Sequence, residues 1–132
     1  MKWQIRQHLF ETNSSNVHSL TMCMASDYEK WVNGEVLMKD GQFLEKDKAI
    51  LENVEEIRKY EDGVTEEQIQ DYINGKCELT DIVDLYNLYD YWKTVDEDNR
   101  SIEDCYYDTF EDIFTTPSGE KIVAFGYYGR DC

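Results

Sequence analysis

Tyr106-Tyr107-Asp108-Thr109-Phe110-Glu111-Asp112-Ile113-Phe114-Thr115, then Pro117-Ser118-Gly119, then Lys121-Ile122-Val123-Ala124-Phe125-Gly126-Tyr127-Tyr128, is the stretch on which the fold turns. Ile122, Val123, Ala124, Phe125 and Tyr127 are strand-forming types, and a Pro-Ser-Gly cluster between two such runs reads as a turn. The pattern predicts an antiparallel hairpin with strands over 106–115 and 121–128. Its first strand is the acidic one, with Asp108, Glu111 and Asp112 projecting beside Tyr106 and Phe110.

At the other end, Trp3, Ile5 and Leu9 alternate with Gln4, Arg6 and His8, as in a strand with one buried side. A polar loop over 11–16 and a second extended run over 17–24 make this a hairpin too, so strands from both ends are expected in one sheet. Between them, Ser26-Asp27-Tyr28-Glu29 reads as a capping box for a helix over 27–33, with Gly34 just past its end. Val36 to Lys39, Asp40-Gly41 and Gln42 to Leu44 spell a tight hairpin. From 47 to 61, Ile50, Leu51, Val54, Ile57 and Tyr60 recur at helical spacing. Thr65 and Gln68 cap a further helix, ending near Asn74-Gly75 with Ile69, Tyr72 and Ile73 inward, and Thr80 is placed to cap another over 81–92. Residues 93–104 are polar and turn-like and read as a loop. The expectation is a single α+β domain over 1–132, an antiparallel sheet from the terminal hairpins with the central helices packed on it. A chain of 132 residues, 41% hydrophobic, is long enough to bury one core.

Charge is unevenly spread. Between Glu61 and Asp112 there are 17 acidic and 3 basic side chains, so 14 of the 16 net negative charges lie there. Carboxylates two apart on a strand are about 6–7 Å from each other, and those at i and i+4 of a helix about 6 Å, comparable to successive phosphates of a nucleic acid. The acids are interleaved with Tyr72, Tyr86, Tyr89, Tyr91, Trp92, Tyr106 and Tyr107, rings that offer large amphipathic contact area. The candidate partner-binding residues are Asp96, Glu97, Asp98, Glu103, Asp104, Tyr106, Tyr107, Asp108, Glu111 and Asp112. The plainer reading of an acidic run is a solvated face that keeps the chain soluble. Such a charge argues against direct nucleic-acid binding and anionic membranes, and for a basic protein partner.

Signatures of catalysis are missing. Neither phosphate-cradling glycine motif occurs, and no lysine has an acid two residues before it, as a restriction-type nuclease core requires. Asp96-Glu97-Asp98-Asn99-Arg100-Ser101 begins like a calcium loop, but Arg100 takes a ligand position, Ser101 replaces the turn glycine and Tyr107 stands where a bidentate Glu belongs. His8, His18 and Cys23 lack the spacing of a zinc motif. Cys23, Cys77, Cys105 and Cys132 contain no Cys-x-x-Cys pair and fit a reduced compartment. No apolar leader or spanning segment is visible, which together with the thiols suggests a cytoplasmic protein. No metal, no cofactor and no enzymatic activity are expected.

The loop Asn13-Ser14-Ser15-Asn16 can bond its own backbone in Asx and ST turns; alternatively its amides and hydroxyls bind an anion, with His18 as acid, base or ligand. The run Phe10-Glu11-Thr12-Asn13-Ser14-Ser15-Asn16-Val17-His18-Ser19-Leu20, about a tenth of the chain, resembles the N-terminal signature of a group of small bacteriophage and mobile-element proteins, whose loop usually carries a third serine where this chain has Asn16. The resemblance implies a phage or mobile-element setting. In that setting the acidic, tyrosine-rich surface suggests an inhibitor of a host defence nuclease, an anti-CRISPR protein first and an anti-restriction protein second. It would act as a nucleic-acid mimic in the basic channel of, for example, a CRISPR effector of the Cas9 or Cas12 type. Two other readings stand beside it: an acidic interaction module without mimicry, and a small-ligand binder or enzyme built on Asn13, Ser14, Ser15 and His18.

Overall fold

Four successive apolar residues, Ile122 to Phe125, are all buried, as in a strand covered on both faces. They lie in the central strand of a three-stranded antiparallel sheet. In the computed structural model, which describes residues 17–103 and 108–128, the strands are β1 (Val17–Met24), β2 (Val36–Lys39), β3 (Gln42–Glu45), β4 (Asp108–Thr115) and β5 (Lys121–Tyr128). The helices are α1 (Ala25–Val32), α2 (Lys46–Tyr60), α3 (Glu66–Ile73) and α4 (Val95–Glu103). The fold is α+β. Sheet order is β1-β5-β4, so the two ends of the chain do share one sheet, with Met24 opposite Ile122 and Thr115 opposite Lys121. The β4–β5 turn is closed by Thr116, which is buried: its amide donates to the Glu120 carbonyl at 2.8 Å and its hydroxyl accepts from the Glu120 amide at 3.1 Å. The expected strand over 3–10 and its hairpin loop lie outside the described residues.

The chain divides into two compact units, one containing the three-stranded sheet and the other spanning Ala25–Ser101. In the second, α1 ends in a Schellman motif: Gly34, at φ 80°, donates to Trp31 at 3.0 Å and Glu35 to Lys30 at 2.9 Å. The β2–β3 turn has positive φ at both Asp40 (50°) and Gly41 (75°), the type I′ geometry that Asp-Gly favours. The Thr65–Gln68 capping box is present as expected. Val54 and Ile57 of α2, Ile69 and Tyr72 of α3, and Leu79, Val83, Leu88 and Tyr91 beyond it form one buried cluster. Each large apolar side chain fully buried there stabilises the unit by about 1.5–3 kcal/mol.

Several expectations are corrected. The helix over 27–33 begins at Ala25, so Ser26 sits inside its first turn and does not cap it. Of the apolar residues at helical spacing over 47–61, Leu51 and Tyr60 are 64% and 70% exposed, while the polar Asn53 is buried. The helix over 81–92 is replaced by two 3-10 turns, Leu79–Asp81 and Leu85–Asp90. Asp84 breaks the run: its backbone is extended and its carboxylate accepts from the Tyr86 amide at 3.1 Å, competing with helix continuation. The loop over 93–104 is instead mostly α4, started by a Thr94–Glu97 capping box: Glu97 Oε1 accepts from the Thr94 amide at 2.9 Å and Thr94 Oγ1 from the Glu97 amide at 3.1 Å.

The segment between those turns and α4 is pinned by backbone pairing. Asn53 Oδ1 accepts from the Trp92 amide at 2.8 Å, and Asn53 Nδ2 donates to the Trp92 carbonyl at 2.8 Å and to Tyr72 Oη at 2.9 Å. The next residue is held from strand β2: Met38 N donates to Lys93 O at 2.9 Å and Lys93 N to Met38 O at 2.8 Å, and Trp31 Nε1 adds a bond to the same Lys93 carbonyl at 2.9 Å. Burial pushes the Tyr72 phenol up to about 12, against the donated bond from Asn53. Asn53→Ala leaves the Trp92 amide and carbonyl without their partners in a buried site and is expected to lower unfolding free energy by on the order of 3 kcal/mol. Leu51→Ala, at an exposed position of the same helix, should change it by less than about 0.5 kcal/mol. Urea midpoints of the two variants check this, and equal midpoints would contradict it.

Candidate acidic binding surface

Among the described residues, the densest acids differ in exposure. Asp96 is exposed, but Glu97 is buried, its second oxygen accepting from the Leu79 amide at 2.8 Å, so both oxygens serve the protein's own backbone. Asp98 is half-buried; burial pushes its carboxyl up and the charge of Lys93 opposes that. Glu97 is therefore corrected from a partner-facing to an internal group, whereas Asp98 stays partly exposed. The acids sit in an amphipathic helix whose first turn carries them at successive positions, and successive helical side chains point in different directions. On β4, Glu111 is exposed and Asp112 half-buried, and as strand neighbours they face opposite sides of the sheet. Glu103 closes α4 and Asp108 opens β4; Asp104, Tyr106 and Tyr107 lie outside the described residues. Of the expected site, Asp96 to Asp98 belong to the Ala25–Ser101 unit, and Glu111 and Asp112 to the sheet unit. Of the alternative loop site, Asn13, Ser14 and Ser15 are outside the described residues and His18 is in β1.

The interleaved rings sort the same way. Tyr72, Tyr91 and Trp92 are buried and hold the core, whereas Tyr86 and Tyr89 are 69% and 67% exposed on the second 3-10 turn. With i to i+3 bonding, that turn places side chains three apart above one another, so Tyr86 and Tyr89 share an edge.

Next to this turn is a cleft of about 470 Å³ lined by Lys39, Glu56, Tyr60, Glu61, Asn87, Asp90 and Tyr91. Helix α2 supplies Glu56 and Tyr60 from adjacent turns and Glu61 as its C-cap; the 3-10 turn supplies Asn87 and Asp90. Glu61 Oε1 accepts from Tyr91 Oη at 3.2 Å and from Asn87 Nδ2 at 3.5 Å, which fixes the carboxylate in the cleft. Burial first, then the negative charges of Glu61, Glu56 and Asp90, push the Tyr91 phenol up, so it remains the donor in that bond. Lys39 is the one cation of the lining, with its ammonium 5.9 Å from the centre of the Trp92 ring. The ion pairs among the described residues join Lys48 to Glu45, Arg58 to Glu66, Lys59 to Glu55 and Arg100 to Glu78, and none involves Glu56, Glu61 or Asp90.

This surface was only partly visible from sequence. Glu61, Asp90, Tyr86 and Tyr89 fall within the acidic stretch, but Glu56, Tyr60 and Lys39 lie outside it. Nothing in the sequence singles out Glu56, Asn87 or Asp90 as a site; the cleft comes from the tertiary approach of the α2 end to the second 3-10 turn.

A second cavity of about 370 Å³ is lined by both apolar and charged groups, among them Leu37, Ile50, Ile73, Cys77 and Glu97. Its Glu97 carboxylate is already occupied by two backbone amides. Burial and then the charges of Asp81 and Asp71 push the Cys77 thiol up, away from the reactive thiolate. Among the described residues, no group of three or more His, Cys, Asp or Glu is placed to hold a metal ion, and no helix is long and apolar enough to cross a membrane. Comparison with protein families, with curated proteins and with solved structures finds no match in any of the three.

The split between internal and outward acids is testable on α4 itself. Glu97→Gln replaces an acceptor of two buried amides and is expected to lower unfolding free energy by about 1–3 kcal/mol, while Asp96→Asn should stay within about 0.5 kcal/mol of the parent. Urea denaturation of both variants reads this directly, and a larger loss for Asp96→Asn would reverse the assignment.

Proposed function

We propose that this protein binds a basic, nucleic-acid-handling protein in competition with nucleic acid, through the acidic, tyrosine-edged surface formed by α2 and the second 3-10 turn. The observation that carries the reading is the cleft in which Glu56, Glu61 and Asp90 form no ion pair with another of the described residues, beside the exposed rings of Tyr86 and Tyr89. Carboxylates meet the lysines and arginines that otherwise hold phosphates, and the rings supply desolvated contact area around them. The net charge of −16 steers a cationic partner toward the chain and repels nucleic acid from it. Nothing is cleaved or transferred; inhibition follows from occupancy.

Within this reading, the phage-like signature at 10–20 favours an inhibitor of a bacterial defence nuclease acting in the host cytoplasm, an anti-CRISPR protein before an anti-restriction protein. The partner then offers a nucleic-acid channel lined with basic side chains, as in a CRISPR effector nuclease.

The immobilised protein, incubated with nuclease-treated lysate of a bacterial host, is expected to retain a nucleic-acid-handling protein that added duplex DNA or RNA releases. Retention should fall as ionic strength rises, because opposite fields are screened. A variant combining Glu56→Gln, Glu61→Gln, Asp90→Asn, Tyr86→Ala and Tyr89→Ala should retain none of it, while Glu111→Gln with Asp112→Asn should retain it. A retained protein that added nucleic acid does not displace would contradict the proposal.

A further inference from the structure

We infer that the second cavity, between the start of α2, the end of α3 and the start of α4, binds a small neutral molecule whose apolar body carries a carbonyl-type oxygen, with the Tyr72 hydroxyl as its donor. This site is separate from the acidic surface and does not rest on the reading above. Tyr72 lines the cavity and is only 6% exposed, yet its hydroxyl proton is unspent. Oη accepts from Asn53 Nδ2 at 2.9 Å. Because Asn53 pairs with both the amide and the carbonyl of Trp92, the end of its side chain that faces the phenol is fixed as the donor end, and the phenolic proton must turn elsewhere. Among the described residues no acceptor receives it. Glu97 and Cys77, of the same lining, are the groups whose charge acts on this phenol, which puts the hydroxyl on the cavity side. A buried donor without an acceptor is costly, so a partner from outside the chain stabilises the site.

The rest of the lining sets the class of ligand. Thr94 Oγ1 accepts from the Glu97 amide at 3.1 Å, and its own proton, like that of Tyr72, has no acceptor among the described residues. Both hydroxyls therefore call for an acceptor, and a ligand with donors alone leaves them unpaired. Glu97, buried in the lining, opposes an anion, and its two oxygens already accept from the Leu79 and Thr94 amides. Lys46 and Asp47 carry opposite charges at the start of α2, and Glu78 is paired with Arg100, so no unbalanced field draws in an ion. The buried Leu37 and the half-buried Ile50 and Ile73 give an apolar wall. A volume of about 370 Å³ falls in the range of small-molecule sites. A water satisfies the hydroxyl but gains nothing from that wall.

The probes are acetophenone, which carries the carbonyl, ethylbenzene, its counterpart without oxygen, and benzoate and benzylammonium as charged controls, each titrated into the full chain and followed by amide chemical shifts. Acetophenone is expected to saturate with a Kd on the order of millimolar and to move the amides of Gly75, Cys77 and Thr94. It should bind about fivefold more tightly than ethylbenzene, and more tightly than either charged probe. Tyr72→Phe should weaken acetophenone by about fivefold and leave ethylbenzene within about twofold, so that the difference between the two closes. Since this variant also removes the acceptor of Asn53 Nδ2, urea denaturation checks that it is folded; if it is not, the order of the probes on the parent chain decides. Equal binding of acetophenone and ethylbenzene, shifts confined to residues outside the cavity, or a preference for acetophenone that survives Tyr72→Phe would overturn the site and leave water as the partner of the hydroxyl.

Discussion

The pairing of the Asn53 side chain with the backbone of Trp92 is the constraint from which the rest of the Ala25–Ser101 unit follows. An asparagine amide has the donor and acceptor of a peptide group, so Asn53 does for Trp92 what a neighbouring strand would do, from within a helix. Buried backbone groups left without partners cost more than an average hydrogen bond returns, so this segment has little freedom to sit elsewhere. With Trp92 held by Asn53 and Lys93 by Met38, the buried Lys93 ammonium reaches back to the carbonyls of Leu88 at 3.1 Å and Tyr91 at 3.0 Å. Burial lowers the affinity of that lysine for its proton, while the charges of Asp98, Asp40 and Glu97 restore part of it. The result is a cation seated at the C-terminal end of the tyrosine-bearing turn, where the turn's dipole favours it. The core thereby fixes how Tyr86, Tyr89 and Asp90 are presented.

A chain with 29 acidic and 13 basic side chains must manage its own repulsion, and this one does so partly by using acids as local fasteners. Glu97 starts α4 and reaches Leu79; Asp84 starts the second 3-10 turn; Asp81 accepts from the Glu78 amide at 2.8 Å. Such carboxylates are stabilised by the amides they accept from, Glu97 in a buried site and Asp81 and Asp84 at the surface. Those that remain outward, with Glu56, Glu61 and Asp90 among them, are the ones available to a cationic partner.

The elements that could be read from sequence are those whose signal is local. The Asp40-Gly41 turn, the Thr65–Gln68 box and the apolar run of β5 each depend on residues within a few positions of one another, and each appears where expected. The failures share another cause. Thr94-x-x-Glu97 is a capping box as plain as the one at Thr65, but a dense acidic run hid it, and α4 was read as loop. Residues 81–92 have the composition of a helix, but Asp84, extended and accepting from the Tyr86 amide, separates them into shorter turns. The inward role of Asn53 is set by contacts 19 and 39 residues away, which no periodicity reveals. The same holds for the cleft: its acids were counted correctly as charge, yet which of them face outward depends on tertiary partners.

Hydrogen–deuterium exchange of the chain with and without a captured basic partner locates the surface that the partner covers. Added protection is expected over the end of α2 and over the Leu85–Asp90 turn, with that of Lys121–Tyr128 unchanged. Protection confined to β4 and β5, with the α2 end and the tyrosine-bearing turn unaffected, would contradict that placement.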